Sequence, residues 1–228
     1  MRPVALVYHA VDSVDPAADP HRLVTSPDHL ASHLALLRRL GYRFATAEAA
    51  LGPRPPAPRT AFVTFDDGFR DWLTEALPVL ERLRVPATFY VCPGWWGLTH
   101  PSLSGGAARL LTEAEARRLV DAGMELGSHT MTHADLRALD DGALARELED
   151  SRAAVEELTG RPCRTLAYPF GLWDARVAGA VRRAGYELAW DWLPGPWRRH
   201  AAPRLPAPPR HGAGRLALKL LGTRRHGR

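Results

Sequence analysis

Short apolar runs, rich in β-branched and aromatic residues, alternate along the chain with longer segments whose leucines recur at helical spacing. The apolar runs lie at 4–8, 42–46, 61–65, 87–91, 125–128, 166–168 and 186–190. Runs this short and this continuously apolar predict strands buried on both faces, as in parallel sheets. Between them, 27–40 places Leu30, Leu34 and Leu37 on one helical face, with Ser26 as N-cap, Pro27 at the first helical position and Gly41 as the stop. Segment 72–83 repeats Leu73, Leu77 and Leu80. Segment 112–122 opens with the capping-box pattern Thr112-Glu113-Ala114-Glu115 and ends at Gly123. Leu144, Leu148 and Val155 align on 140–158, and 175–184 ends at Gly185. Strand, helix and glycine stop in this order predict an α/β fold: a distorted (β/α)7-type barrel of mostly parallel strands surrounded by helices.

The pattern also shows where regular structure gives out. Segment 52–58 is a Pro-rich loop too short to link domains, and 93–106, with Trp95 and Trp96, is long enough to form the rim of a cleft. After Leu193 the periodicity dissolves into Pro and Arg; 216–221 predicts one more helix, followed by a basic tail at 223–228. No internal repeat is visible. This reads as one catalytic domain over 1–212 and a basic C-terminal helix and tail over 213–228.

Composition changes this picture little. Of 228 residues, 46% are hydrophobic, which is ample for a core. The net charge of +5 and sequence pI of about 9.7 are a weak statement about partners, because the basic residues are scattered rather than striped; no specific nucleic-acid interaction is expected. Cys92 and Cys163 form neither a disulfide framework nor a Cys-x-x-Cys pair and read as free buried thiols. The apolar run near the N-terminus is too short for an export signal, and no stretch reaches the ~20 apolar residues of a membrane span. The expected compartment is therefore the cytoplasm. Nothing in the sequence specifies an oligomeric state.

Two short patterns concentrate the chemistry. Thr64-Phe65-Asp66-Asp67-Gly68 ends one apolar run, and Ser128-His129-Thr130-Met131-Thr132-His133 ends another. An Asp-Gly turn after a strand is common, but here the strand is apolar throughout, so both carboxylates emerge at the rim of the sheet. Neighbouring residues at a strand end point different ways, so one carboxylate can bind a metal while the other acts beside it as a base. The spacing of His129 and His133 lets two imidazoles share one ion. Spacing alone is weak: with ten His in the chain, chance supplies about 0.4 such pairs. His29 and His33 show the same interval on the 27–40 helix, where a partly solvated helix face is the expected role. The later pair is set apart by the preceding strand, by the bend at Gly127 and Ser128, and by the hydroxyls of Thr130 and Thr132. Two carboxylates and two imidazoles suffice to hold a divalent ion and activate water, which points to a metal-dependent hydrolase.

The combined set resembles the first two signature motifs of the polysaccharide deacetylases (carbohydrate esterase family 4, the NodB-homology domain). Leu6-Val7-Tyr8-His9-Ala10-Val11 is similar to the N-terminal strand of the family's permuted branch. Segments 61–90, 127–136, Leu166-Ala167-Tyr168-Pro169-Phe170-Gly171 and Gly185-Tyr186-Glu187-Leu188-Ala189 read like further family segments, so the resemblance runs over roughly 4–195. It implies a single divalent metal, most often Zn2+, on Asp67, His129 and His133. It implies Asp66 as general base, the backbone N–H of Phe170 as an oxyanion donor, and His9 as general acid. The substrate implied is a carbohydrate bearing N-acetyl groups, and the reaction is removal of those groups from an amino sugar in a polysaccharide or glycoconjugate.

The chain departs from the family where an arginine commonly braces the base: that position is Ala167, with Arg164 nearby in sequence. A late histidine motif has no clean match, and His200 and His211 rank below His9. Asp191, between Trp190 and Trp192, reads equally as a partner for a catalytic histidine or as a loop carboxylate. Trp95, Trp96, Trp190, Trp192 and Trp197 fit either a sugar-binding cleft or ordinary packing. The alternatives are O-acetyl ester or non-sugar amide hydrolysis at the same site, or a catalytically weak glycan-binding module.

Overall fold

The computed structural model describes residues 1–222 other than Pro53, Ser104 and Pro194. Among the described residues eight strands, all parallel, form one curled sheet: β1 Val4–Tyr8, β2 Arg43–Ala45, β3 Thr60–Phe65, β4 Thr88–Val91, β5 Glu125–Ser128, β6 Thr165–Ala167, β7 Leu188–Trp190 and β8 Leu205–Pro206. The path runs β7-β6-β5-β4-β3-β1-β8. β2 shares an edge of β3 with β4: Arg43–Ala45 pair with Thr60–Phe62, and Thr88 and Phe89 with Thr64 and Phe65. The two ends of the path are joined by a single stretch of chain. Ala202 bridges Trp190 in β7, and Leu205 pairs with Leu6 in β1, so 202–206 stitches the curled sheet into a barrel. The barrel-like fold thus matches the expectation. Its last strand lies in the Pro/Arg stretch where no periodicity announces it.

The α-helices of the described residues flank the strands: α1 Pro27–Arg39, α2 Leu77–Leu83, α3 Glu113–Asp121, α4 Asp141–Thr159, α5 Ala175–Arg183 and α6 Ala213–Gly222. Ser26 caps α1 through its hydroxyl, Thr112 and Glu115 complete the capping box of α3, and the chain leaves α4 through Gly160 in the left-handed region. Segment 72–83 is not one uniform helix. Its first turn, Trp72–Ala76, is π-helical, a wider turn that recurs at functional sites.

Strand alternation divides the core in two. Leu6, Tyr8, Val63, Phe65, Phe89 and Leu166 face the helices. Ala5, Phe62, Tyr90, Ala167, Leu188 and Trp190 face the barrel interior. Gly127 has no side chain because Tyr90 fills that space; a Cβ there would collide with the phenol ring. α6 lies against α1 and buries Leu216 in the outer core. His33 on α1 is wholly buried rather than on a partly solvated face. Its Nε2 donates to the His211 carbonyl (2.8 Å) and its Nδ1 accepts from the Tyr8 hydroxyl (3.2 Å). At His33 the helix therefore pins the C-terminal segment. Both cysteines are free and buried, and among the described residues no helix is long and apolar enough to cross a membrane.

Candidate metal and acid–base centre

Parallel strands bring all their C-terminal ends to one rim of the barrel, where side chains from distant parts of the sequence meet. Asp66 and Asp67 follow β3, His129 follows β5, and the Thr130–His133 turn leaves from it. Asp67 Oδ1 lies 3.3 Å from Nε2 of both His129 and His133. The three groups offer ligand atoms all within 4.8 Å of one another. The His129 Nδ1 proton goes to the Ala167 carbonyl at 2.7 Å; this fixes the tautomer and leaves the Nε2 lone pair toward Asp67. Such a donor set fits a divalent ion of the zinc type.

The local backbone is bent to make this cluster. Asp67, Thr130, His133 and Phe170 all have φ between 58 and 86° without being glycine, a conformation costing about 1 kcal/mol or more apiece. Surrounding contacts hold the turn. Glu147 of α4 accepts from the N–H groups of Met131 and Thr132 at 2.9 Å and from the Thr132 hydroxyl at 2.5 Å. Gly94 donates its N–H to Met131 O, and the approach is so close that a Cβ on Gly94 would sit 2.6 Å from that oxygen.

Asp66 continues the inward phase of Phe62 and Thr64, and there it meets Arg204. The guanidinium forms a bidentate pair with the carboxylate (2.7 and 2.6 Å), also donates to Thr64 Oγ1 (3.1 Å) and the Asp191 carbonyl (3.1 Å), and lies over the Tyr90 ring. Both partners are essentially inaccessible. Burial alone would push the Asp66 carboxyl up; the charges and hydrogen bonds of Arg204, with His129 and His9, outweigh it and hold the pKa below the usual carboxylate range. Arg204, just before β8, thus occupies the bracing role for which the sequence offered Arg164. Arg164 instead sits ahead of β6, largely exposed, and pairs with Glu187 at 3.1 Å.

His9 follows β1, whose register sets Tyr8 against Phe65 and so His9 level with Asp66. Its backbone is clamped by the residues after the Asp-Asp pair: the Trp72 indole donates to His9 O (2.7 Å), and Asp71 Oδ1 accepts from Val11 N–H (2.9 Å). The His9 ring packs on Trp192, with centroids 4.9 Å apart. Burial lowers its pKa, while the carboxylates of Asp67 and Asp66 pull it back up in part. Phe170 is 58% exposed, and its ring stands edge-on to His133 at 4.4 Å. Asp191 proves to be a loop carboxylate. It accepts from the N–H groups of Trp192 and Leu193 and from the Trp173 indole, and so shapes the turn that presents Trp192 to His9. His200 Nε2 bonds to Tyr186 O, and His211 offers its carbonyl to His33 and its N–H to Pro208 O. One further histidine touches the cluster from outside. His100 of the 93–106 loop places Nε2 3.3 Å from Asp67 Oδ2. A lone histidine in a loop gives no sequence signal.

A parallel barrel thus carries a carboxylate–imidazole cluster at its C-terminal rim, with a braced second carboxylate beside it. Residues 54–189 match the polysaccharide deacetylase family, and the chain belongs to that family. A chitooligosaccharide deacetylase of Rhizobium leguminosarum bv. trifolii is 33% identical over 143 residues, 62% of this chain and 60% of the relative. YxkH of Bacillus subtilis is 25% identical over 194 residues, 83% of this chain and 64% of the relative. The chain thus spans under two thirds of the length of these relatives. Among solved structures, BC0361, a polysaccharide deacetylase from Bacillus cereus, superposes with a TM-score of 0.80 at 26% identity, covering 96% of this chain and 69% of the other. The Streptococcus pyogenes deacetylase PplD shares the fold with a TM-score of 0.82 at 24% identity, covering 96% and 97%.

Proposed function

We propose that this protein is a divalent-metal-dependent N-deacetylase that removes acetyl groups from an amino sugar in a polysaccharide or glycoconjugate. The observation that supports the reading best is the adjacency of a buried, arginine-braced carboxylate, Asp66, to the Asp67–His129–His133 cluster. A structural ion needs no such neighbour; hydrolysis does. The names of the chitooligosaccharide deacetylase relatives support the choice of substrate class.

In this reading Asp67, His129 and His133 hold the metal, zinc being the best match to one carboxylate and two imidazoles. When bound, the ion supplies an acidified water and a positive charge toward the substrate carbonyl. Asp66, kept ionised by Arg204, takes a proton from the attacking water as its oxygen bonds to the acetyl carbon. The Phe170 N–H donates to the oxygen on which negative charge develops, a contribution of roughly 3 kcal/mol for one such donor. His9 delivers a proton to the amide nitrogen as the C–N bond breaks, so that acetate and a free amine leave. Burial makes protonated His9 a ready proton donor, which suits an amine that leaves poorly unprotonated.

Acetate release by purified protein with and without added zinc tests this. Asp66→Asn is expected to retain zinc and lose at least about a hundredfold in rate, within the range for a general base. Full activity in that variant refutes the role. Acetate released from O-acetylated but not N-acetylated sugars would replace the amide by an ester.

A further inference from the structure

The loop after β4 is a small folded unit zipped to the Asp-Asp turn. Gly97 N–H donates to Leu111 O, Leu110 N–H to Leu98 O and His100 N–H to Ala108 O, so its two arms pair antiparallel. The returning arm is tied to the chain just beyond Asp67, through Leu111 N–H to Gly68 O and Arg70 N–H to Arg109 O. This construction buries His100, which is 4% exposed, between Phe69 and Trp95, with ring centroids 4.8 and 5.5 Å away.

The tautomer of His100 follows from its partners. Ser102 N–H points at Nδ1, 3.1 Å away, and a backbone N–H can only donate. Nδ1 is therefore the acceptor, and the ring proton of the neutral imidazole is on Nε2, aimed at Asp67 Oδ2 at 3.3 Å. His129 and His133 meet the other oxygen, Oδ1. Three imidazoles thus divide one carboxylate: Oδ1 faces the two that share its cluster, and Oδ2 is occupied by the third as a donor. His100 lies outside the group of mutually close ligand atoms.

We propose that His100 is a positioning residue of the metal centre, holding Asp67 by one oxygen so that the other alone is presented to the ion. The inference rests on the assignment of Asp67 as a ligand. It makes the loop a built part of the centre: its antiparallel pairing sets where His100 stands, and His100 sets how Asp67 turns. Residues that orient a metal ligand are worth about 10–100-fold in affinity.

Zinc titration of the apoprotein against a chromophoric chelator reads this directly, with thermal melting of each apoprotein to establish folding. His100→Ala is expected to weaken zinc binding about 10–100-fold at an unchanged one ion per chain. His100→Gln, whose amide NH2 reaches about as far as Nε2, is expected to bind zinc within about threefold of the unchanged protein, because it restores a donor but is a poor zinc ligand. Zinc affinity of folded His100→Ala equal to that of the unchanged protein overturns the inference. So does a folded His100→Gln as weak as the alanine variant, which would make the ring itself a ligand. Should His100→Ala fail to fold, the glutamine variant decides alone. Asp67→Ala separates the two levels: if it leaves zinc affinity intact, the metal assignment fails, whereas loss there with no effect at His100 sinks only the positioning role.

Discussion

His29 and His33 stand four residues apart on α1, and His129 and His133 stand four apart in the turn after β5. The helical pair spends its nitrogens on the protein: both ring nitrogens of His33 are engaged, and His29 Nδ1 faces the Pro209 carbonyl at 3.3 Å. The other pair breaks out of regular structure, with Thr130 and His133 in the left-handed region. There the Ala167 carbonyl takes one nitrogen of His129 and leaves the second to Asp67. An identical interval therefore yields an anchor in one place and a carboxylate–imidazole cluster in the other. The difference is made by what the rest of the fold sets opposite the rings: carbonyls of the C-terminal segment in one case, a carboxylate from another strand end in the other.

The sharpest way to break this contrast is to remove one ring from each pair. His129→Ala is expected to weaken zinc binding by more than the about 100-fold that loss of an orienting residue costs, while His29→Ala leaves it unchanged. Isothermal titration of the two variants side by side checks this, and equal losses would erase the distinction. Next in size is Arg204→Met. It strands a buried carboxylate and is expected to destabilise the fold by about 3–5 kcal/mol in urea unfolding, with Asp66 shifted toward its protonated form. Arg164→Met, by contrast, removes exposed pairs with Glu187 and Glu48 and is expected to stay within about 0.5 kcal/mol. The smallest effect is one of pH. His33 has its pKa lowered by burial to about 4, against an ordinary value near 6.5. Between these values the unfolded chain takes up a proton that the folded chain refuses. The contribution is therefore complete above pH 6.5 and drains away as pH falls toward 4, by about 2 kcal/mol. Urea midpoints at pH 7.5 and 4.5 should fall further for the unchanged protein than for His33→Gln; parallel losses would show that the ring is not responsible.

What could be read from the sequence follows the same division. Asp66, Asp67, His129 and His133 sit in contiguous motifs directly after apolar strands, so local pattern alone brings them to one rim. His9 was reachable because it, too, ends a strand, and the register sets it beside Asp66. Arg204 was not. It is one of 30 Lys and Arg residues, and its strand has two residues in a Pro/Arg stretch without alternation, so only barrel closure reveals its place. His100 was hidden for a related reason: its loop is ordered by backbone pairing, which leaves no hydrophobic period behind. The partly solvated face expected for His29 and His33 holds for His29, which is half-buried, and fails for His33, because helical spacing says which residues share a face, not what packs on it.

Closure by 202–206 bears on the order of events during synthesis. The family match ends at residue 189, yet the guanidinium that steadies Asp66 comes from 138 positions further along the chain than the carboxylate itself. A nascent polypeptide still lacking that closing stretch holds the Asp66 carboxylate without its counter-charge. The Asp66–Arg204 pair and the closure of the barrel should therefore form together, once 202–206 has been made and seats between β7 and β1.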